Sequence, residues 1–192
     1  MSTAERQLLT EDEYLTLDRD ADTKHEYVNG EAVAMADASP RHNRIVANLV
    51  TALMNRLGDG PCGPLPSDQR VHVPATGLYA YPDVTVLCGP GAYHERDGIT
   101  LLNPTALIEV LSDSTEAYDR GAKFDHYRRL DSLQAYLLVA QRERRVIHYR
   151  RGAGAEWILT DCPPGDSVTL ASLGIELPLD EVYRRADAFP AG

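Results

Sequence analysis

Two short apolar runs in this chain each carry an acid, and that limits the possible folds more than any other feature. In Tyr81-Pro82-Asp83-Val84-Thr85-Val86-Leu87, Val84 and Val86 face one side of a strand and Asp83 the other. In Ala106-Leu107-Ile108-Glu109-Val110-Leu111, Glu109 has aliphatic neighbours on both sides. Burying an unpaired carboxylate costs several kcal/mol, so two together approach a whole domain's net stability of about 5–15 kcal/mol unless something offsets them. A divalent cation held between two carboxylates does so, because its charge reverses their repulsion. The plainer alternative is that each acid lies at a sheet edge or pairs with an arginine.

The flanking sequence supplies the elements that frame these strands. Thr10-Glu11-Asp12-Glu13 is a capping box for a helix to about Asp18. Asn29-Gly30, inside His25 to Val33, is the turn of a β-hairpin. Pro40 opens a helix to about Leu57, with Ile45, Leu49, Leu53 and Leu57 along one face. Gly58 to Pro66, rich in glycine and proline around Cys62, reads as a loop. Strands are expected at Gln69–Val73, Tyr81–Leu87, Thr105–Leu111, Ala135–Ala140, Arg145–Tyr149 and Trp157–Thr160, with a helix from the Ser112–Thr115 caps to about Leu130 and a closing helix at Asp180–Ala186. The order α-β-β-α-β-β-β-α-β-β-β predicts an α/β fold, helices packed on a central mixed sheet, rather than a doubly wound one. At 192 residues the chain is expected to form one domain, 1–192, with its core at about 8–185.

The helix after Glu109 carries Asp119, Lys123 and Tyr127 at four-residue intervals, one face. If it folds back along its parent strand, Lys123 lies about 12 Å into the helix at 1.5 Å per residue. The same distance back from Leu111, at 3.3 Å per residue, reaches about Ile108 and so places Lys123 level with Glu109. The alternative is a surface Asp119–Lys123 ion pair worth only about 0.3–0.5 kcal/mol. Gly121, inside that helix, predicts a close approach by another backbone.

These residues resemble a known family. Pro82-Asp83, the run Glu109-Val110-Leu111-Ser112-Asp113-Ser114-Thr115, then Asp119, Lys123 and Tyr127, resemble the Uma2 (DUF820) family, which is similar to the PD-(D/E)XK restriction-endonuclease-like superfamily. Glu26-Tyr27-Val28-Asn29-Gly30-Glu31 matches its N-terminal hairpin, and His42-Asn43 and Ser67–Val71 also fit. The resemblance implies a restriction-endonuclease-like core with an N-terminal helix and β-hairpin. It implies Asp83 and Glu109 as the metal-binding acids, joined by the Val110 carbonyl, with Glu26 as a further acid. Leu111 stands where the superfamily has its lysine, which makes Lys123 the counterpart. The implied activity is Mg²⁺- or Mn²⁺-dependent hydrolysis of nucleic acid, DNA foremost, with His42, Asp119 and Tyr127 as accessory residues. His42 also reads as a capping or solvated histidine, and Tyr127 as core packing. His25, His72, His94, His126 and His148 show no ligand spacing.

The net charge of −10 is unevenly spread. Residues 120–151 hold nine bases and three acids (+6), against −16 for the rest. Arg128, Arg129, Arg142, Arg144 and Arg145 are therefore the candidates for nucleic-acid backbone contacts. A two-fold dimer is a natural way to address both strands of a duplex. The acidic total also fits a nuclease-fold protein that has become a binding or regulatory module, or a hydrolase of small phosphate esters. There is no P-loop, nucleophile elbow or dinucleotide fingerprint. Cys62, Cys88 and Cys162 are odd in number and far apart, which predicts three reduced thiols in a cytoplasmic protein. No apolar stretch approaches the roughly 18 residues of a membrane span.

Overall fold

The computed structural model describes residues 8–191. Helix α1 (Glu11–Asp20) opens with both halves of its capping box formed between Thr10 and Glu13. Strands β1 (His25–Val28) and β2 (Glu31–Ala34) form the expected hairpin, with Asn29 and Gly30 both at positive φ. Helix α2 (Pro40–Leu57) starts from the Ser39 N-cap with proline in its first turn, and Ile45, Leu49 and Leu53 are buried along one face.

Ten strands follow: β3 (Cys62–Pro66), β4 (Val71–Val73), β5 (Leu78–Ala80), β6 (Val84–Cys88), β7 (Ala106–Val110), β8 (Ala135–Val139), β9 (Val146–Arg151), β10 (Trp157–Cys162), β11 (Ser167–Leu170) and β12 (Ile175–Pro178). The central sheet has the order β10-β9-β8-β7-β6-β3 and is mixed, because β7 and β8 run parallel while its other neighbours are antiparallel. A second sheet, β2-β1-β5-β4, packs on one face of it. Helix α2 and the β11–β12 hairpin cover the other face.

Alternation along β7 divides its side chains between two cores. Ala106, Ile108 and Val110 join Leu49, Leu53, Val84 and Val86 beneath α2. Leu107 faces the second sheet with Val71, Leu78, Tyr127 and Leu138. Glu109 shares the side of Leu107, so period-two geometry turns its carboxylate toward the second sheet.

Parallel strands need a crossover, and the β7–β8 crossover is a composite helix. It runs as Glu116–Tyr118, a π-helical turn Asp119–Lys123, and Phe124–Tyr127. It is shorter than the helix expected to reach Leu130. No atom comes within 4 Å of where a Gly121 side chain would stand, so this glycine marks the widened turn and no close backbone neighbour.

Other boundaries moved too. The Gly58–Pro66 segment, expected as a loop, contains β3, an edge strand in which Pro64 and Pro66 are tolerated. Asp83 precedes β6 instead of lying within it. The closing helix is reduced to Leu179–Val182 and a separate turn at Ala186–Ala188, and the β11–β12 hairpin forms in a segment to which the sequence assigns no element.

The cysteine expectation is overturned. Cys62 and Cys88 are direct cross-strand partners on β3 and β6, their Cα atoms 4.0 Å apart, and they form a disulfide. Only Cys162 is a free thiol, and it is buried. A spacing of 26 residues gave no hint of a register that pairs them. No described helix is long and apolar enough to cross a membrane.

Candidate active site

Strand register brings the two acids together. Val84 faces Ile108 across the antiparallel β6–β7 pair, so Asp83 and Glu109 come level one step further along. The Val110 N–H donates to Asp83 Oδ2 at 2.7 Å. His42, in the first turn of α2, places Nε2 3.2 Å from the same oxygen. Val110 thus presents its amide to Asp83, a contact the sequence did not suggest for a residue read as a carbonyl ligand.

Lys123 reaches Glu109 from the crossover helix, as back-folding over the parent strand predicts. Its Nζ lies 2.9 Å from Glu109 Oε1, 2.8 Å from Glu26 Oε1 and 3.6 Å from Asp119 Oδ1. The lysine and Glu109 side chains are each 6% exposed, so the Asp119–Lys123 contact is no surface pair. The π-helical turn presents both residues inward, and the Tyr136 hydroxyl pins it by donating to the Asp119 carbonyl at 3.0 Å. Tyr127 is fully buried in the core, and its hydroxyl donates to Glu109 Oε1 at 3.0 Å; packing and polar contact coexist in one ring.

Four carboxylates, those of Glu26, Asp83, Glu109 and Asp119, therefore act on one another around a single ammonium. Burial pushes the Glu109 carboxyl well above the usual range; Lys123 opposes this, while Asp119, Asp83 and Glu26 reinforce it. Burial likewise raises Asp119. Burial disfavours the Lys123 ammonium, but Glu109, Tyr127, Glu26 and Asp119 outweigh it and hold the group well above its ordinary value. Lysine therefore keeps its charge, while burial favours the neutral form of Glu109. For His42, burial works against the cation, yet Asp83 and a backbone hydrogen bond at Val110 raise its pKa.

The donor set fits a divalent cation. Glu109 Oε1 is taken by Lys123 and Tyr127, and Asp83 Oδ2 by Val110 and His42. Among the described residues, no hydrogen bond engages the remaining oxygens, Glu109 Oε2 and Asp83 Oδ1. Oxygen donors and excess negative charge suit Mg²⁺ or Mn²⁺. Tyr118, absent from the sequence reading, has a buried hydroxyl without a hydrogen-bond partner, and its ring lies 6.0 Å from Lys123 Nζ.

The basic segment is not left as open positive charge. Arg142 grips Asp113 through two contacts, of 2.9 and 2.5 Å. Arg144 bonds Asp187 and Asp180, Arg145 bonds Asp161, and Arg128 bonds Asp125. Arg129 is exposed.

Comparison with known proteins places the chain in a family. The fold matches, with a TM-score of 0.75 over 91% of this chain and 97% of the other, the crystal structure of a "putative nuclease belonging to DUF820" from Anabaena variabilis, at 18% identity. The two chains thus share one architecture. Residues 11–180 match the family model Uma2, described as "Putative restriction endonuclease", and the chain belongs to that family. Two uncharacterised proteins of Synechocystis, slr1290 and sll1609, are 36% and 35% identical to it; the matches cover 92% and 84% of this chain, and 92% and 91% of theirs.

Proposed function

We propose that the protein is a metal-dependent endonuclease that hydrolyses phosphodiester bonds of nucleic acid, DNA foremost. The observation that carries this reading is the buried Lys123 ammonium set between Glu26 and Glu109, beside a second acid, Asp83, that has a free oxygen. Asp83 and Glu109 would hold Mg²⁺ or Mn²⁺, with the Val110 backbone alongside. When bound, such an ion supplies Lewis acidity and lowers the pKa of a coordinated water.

The protein's own groups divide the remaining work. Tyr127 and Lys123 fix Glu109 Oε1, which orients its other oxygen. Val110 and His42 do the same for Asp83. A lysine held so firmly as an ammonium does not take a proton at neutral pH; it donates to developing negative charge on phosphorus. Glu26 then remains as the carboxylate placed to accept a proton from the attacking water. The arginine–carboxylate pairs at Arg128, Arg142, Arg144 and Arg145 are exposed and screened by solvent, so backbone phosphates can replace the carboxylates at small cost.

The test is cleavage of duplex and single-stranded DNA and RNA in Mg²⁺ or Mn²⁺. Asp83→Asn and Glu109→Gln should abolish cutting while leaving the circular dichroism spectrum intact; undiminished cutting by either refutes the assignment. The net charge of −10 favours a second reading, a nuclease-fold binding module. Wild-type protein that binds nucleic acid, yet cuts none of these substrates in either ion, would establish that reading.

A further inference from the structure

We propose that Glu11, His72 and His94 form a second metal site, for a transition-metal ion of the zinc type, on the opposite side of the second sheet from the carboxylate cleft. One donor atom from each residue lies within 4.8 Å of the others. The three come from the first turn of α1, from β4 and from the 89–105 connection, which is why no spacing in the sequence announced them.

Strand alternation separates this cluster from the cleft. On β1, Glu26 turns to Lys123, while its neighbour Tyr27 packs with Tyr14 and Tyr79 beneath α1. On β4, Val71 and Val73 face the core shared with the central sheet, so His72 between them faces α1. It pairs in register with Tyr79 and stacks on that ring at 3.9 Å between centroids.

Hydrogen bonding leaves one donor atom open on His72 and one on Glu11. His72 Nδ1 lies 3.1 Å from the Leu78 carbonyl, which can only accept, so the proton is on Nδ1 and the Nε2 lone pair is open. The Tyr79 hydroxyl donates to Glu11 Oε2 at 3.1 Å, which leaves Oε1 to bind. His94 has only long contacts, 3.4 Å from the Arg96 N–H and 3.4 Å from the Tyr79 hydroxyl, weak bonds that a metal bond readily replaces. Zinc holds nitrogen and oxygen donors at about 2.0–2.2 Å, hence about 3.4 Å apart in a tetrahedron. Glu11 and His94 are only half-buried and can draw in to that spacing. Two imidazoles and one carboxylate suit zinc, cobalt or nickel, whereas Mg²⁺ prefers oxygen ligands. An ion here would tie α1 and the 89–105 connection to the second sheet, and a fourth position would be left to water.

The experiment uses the full chain, stripped with chelator, dialysed against Zn²⁺ in excess Mg²⁺ and assayed for bound metal. We expect one equivalent of zinc per chain, retained by an Asp83→Asn/Glu109→Gln double variant and lost in both His94→Ala and Glu11→Gln, whose half-buried positions spare the fold. Co²⁺ should give a visible absorption band that His94→Ala removes. Zinc should also raise the melting temperature by several degrees in the double variant but not in His94→Ala. Failure of wild-type protein to retain zinc overturns the proposal. So does zinc that survives His94→Ala and disappears with the two cleft acids. Cleavage assays stand apart from these readouts, so the second site and the nuclease reading fail separately.

Discussion

Lys123 Nζ sits 2.9 Å from Glu109 Oε1, and both side chains are almost wholly removed from water. The ammonium is the cation that makes the cluster of acids tolerable. Replacing Lys123 with methionine should therefore destabilise the metal-free protein by about 3–5 kcal/mol, the usual consequence of stranding a buried charge. Urea denaturation measures this. Mg²⁺ should restore part of the loss if the carboxylates hold the ion, whereas cutting should stay depressed because the donor to phosphorus is gone.

Burial drives the Glu109 and Asp119 carboxyls above their ordinary values of 4.5 and 3.8. A carboxyl raised on folding binds its proton more tightly in the native state, so it stabilises below the ordinary value. That contribution fades as pH climbs through the raised one. The metal-free protein should lose stability from about pH 4 to 5 upward through this pair. Glu109→Gln should be more stable than wild type at pH 8, with a flatter profile. Added Mg²⁺ should steepen in affinity with pH and release protons, readable by calorimetry in buffers of different ionisation enthalpy. A wild-type profile no steeper than that of Glu109→Gln would contradict the burial argument.

His42 holds Asp83 at 3.2 Å and has a raised pKa, so its protonated form is favoured where it touches that carboxylate. Its share of stability is present below pH 6.5 and disappears as pH rises through the folded value. Comparing wild type with His42→Gln in thermal melts from pH 5 to 9 should show a gap that closes toward alkaline pH. The same substitution should weaken cutting more through Mg²⁺ affinity than through the saturated rate, since it loosens Asp83 and leaves Lys123 in place.

Much of this site was legible because its residues sit on regular elements or, for Asp83, directly beside one. The rise per residue of helix and strand, with the helix folded back along its parent strand, carried Lys123 level with Glu109. What escaped depended on register between distant segments. Cys62 and Cys88 are reactive partners only because β3 forms out of a glycine- and proline-rich stretch that propensity assigns to a loop. Glu11, His72 and His94 come from α1, β4 and the 89–105 connection, so no window of sequence contains them. Arg70 is similar: buried, it bonds Asp18 at 2.5 Å and Asp97 at 2.7 Å across two connections, with nothing local to mark it.

That arginine supplies another test. Arg70→Met strands Asp18, whose carboxylate also accepts from the Tyr81 hydroxyl at 2.5 Å. A loss of about 3–5 kcal/mol is expected in denaturant melts. Arg70→Lys should recover only part of it, since one ammonium cannot reproduce a guanidinium that bonds Asp18, Asp97 and Thr100 together.

The Cys62–Cys88 bridge closes a loop of 26 residues between an edge strand and its neighbour. Chain-entropy reasoning gives such a crosslink about 3.5 kcal/mol, by restricting the unfolded chain. Reduction with dithiothreitol, or Cys62→Ser with Cys88→Ser, should lower the melting temperature by several degrees. Dithiothreitol should have no further effect on the double variant, because Cys162 is buried and has no partner thiol. The cleft acids lie on β7 and just before β6, where antiparallel pairing with β7 continues after the bridge opens. Cutting at low temperature should therefore survive reduction, while the temperature at which it fails should fall with the melt.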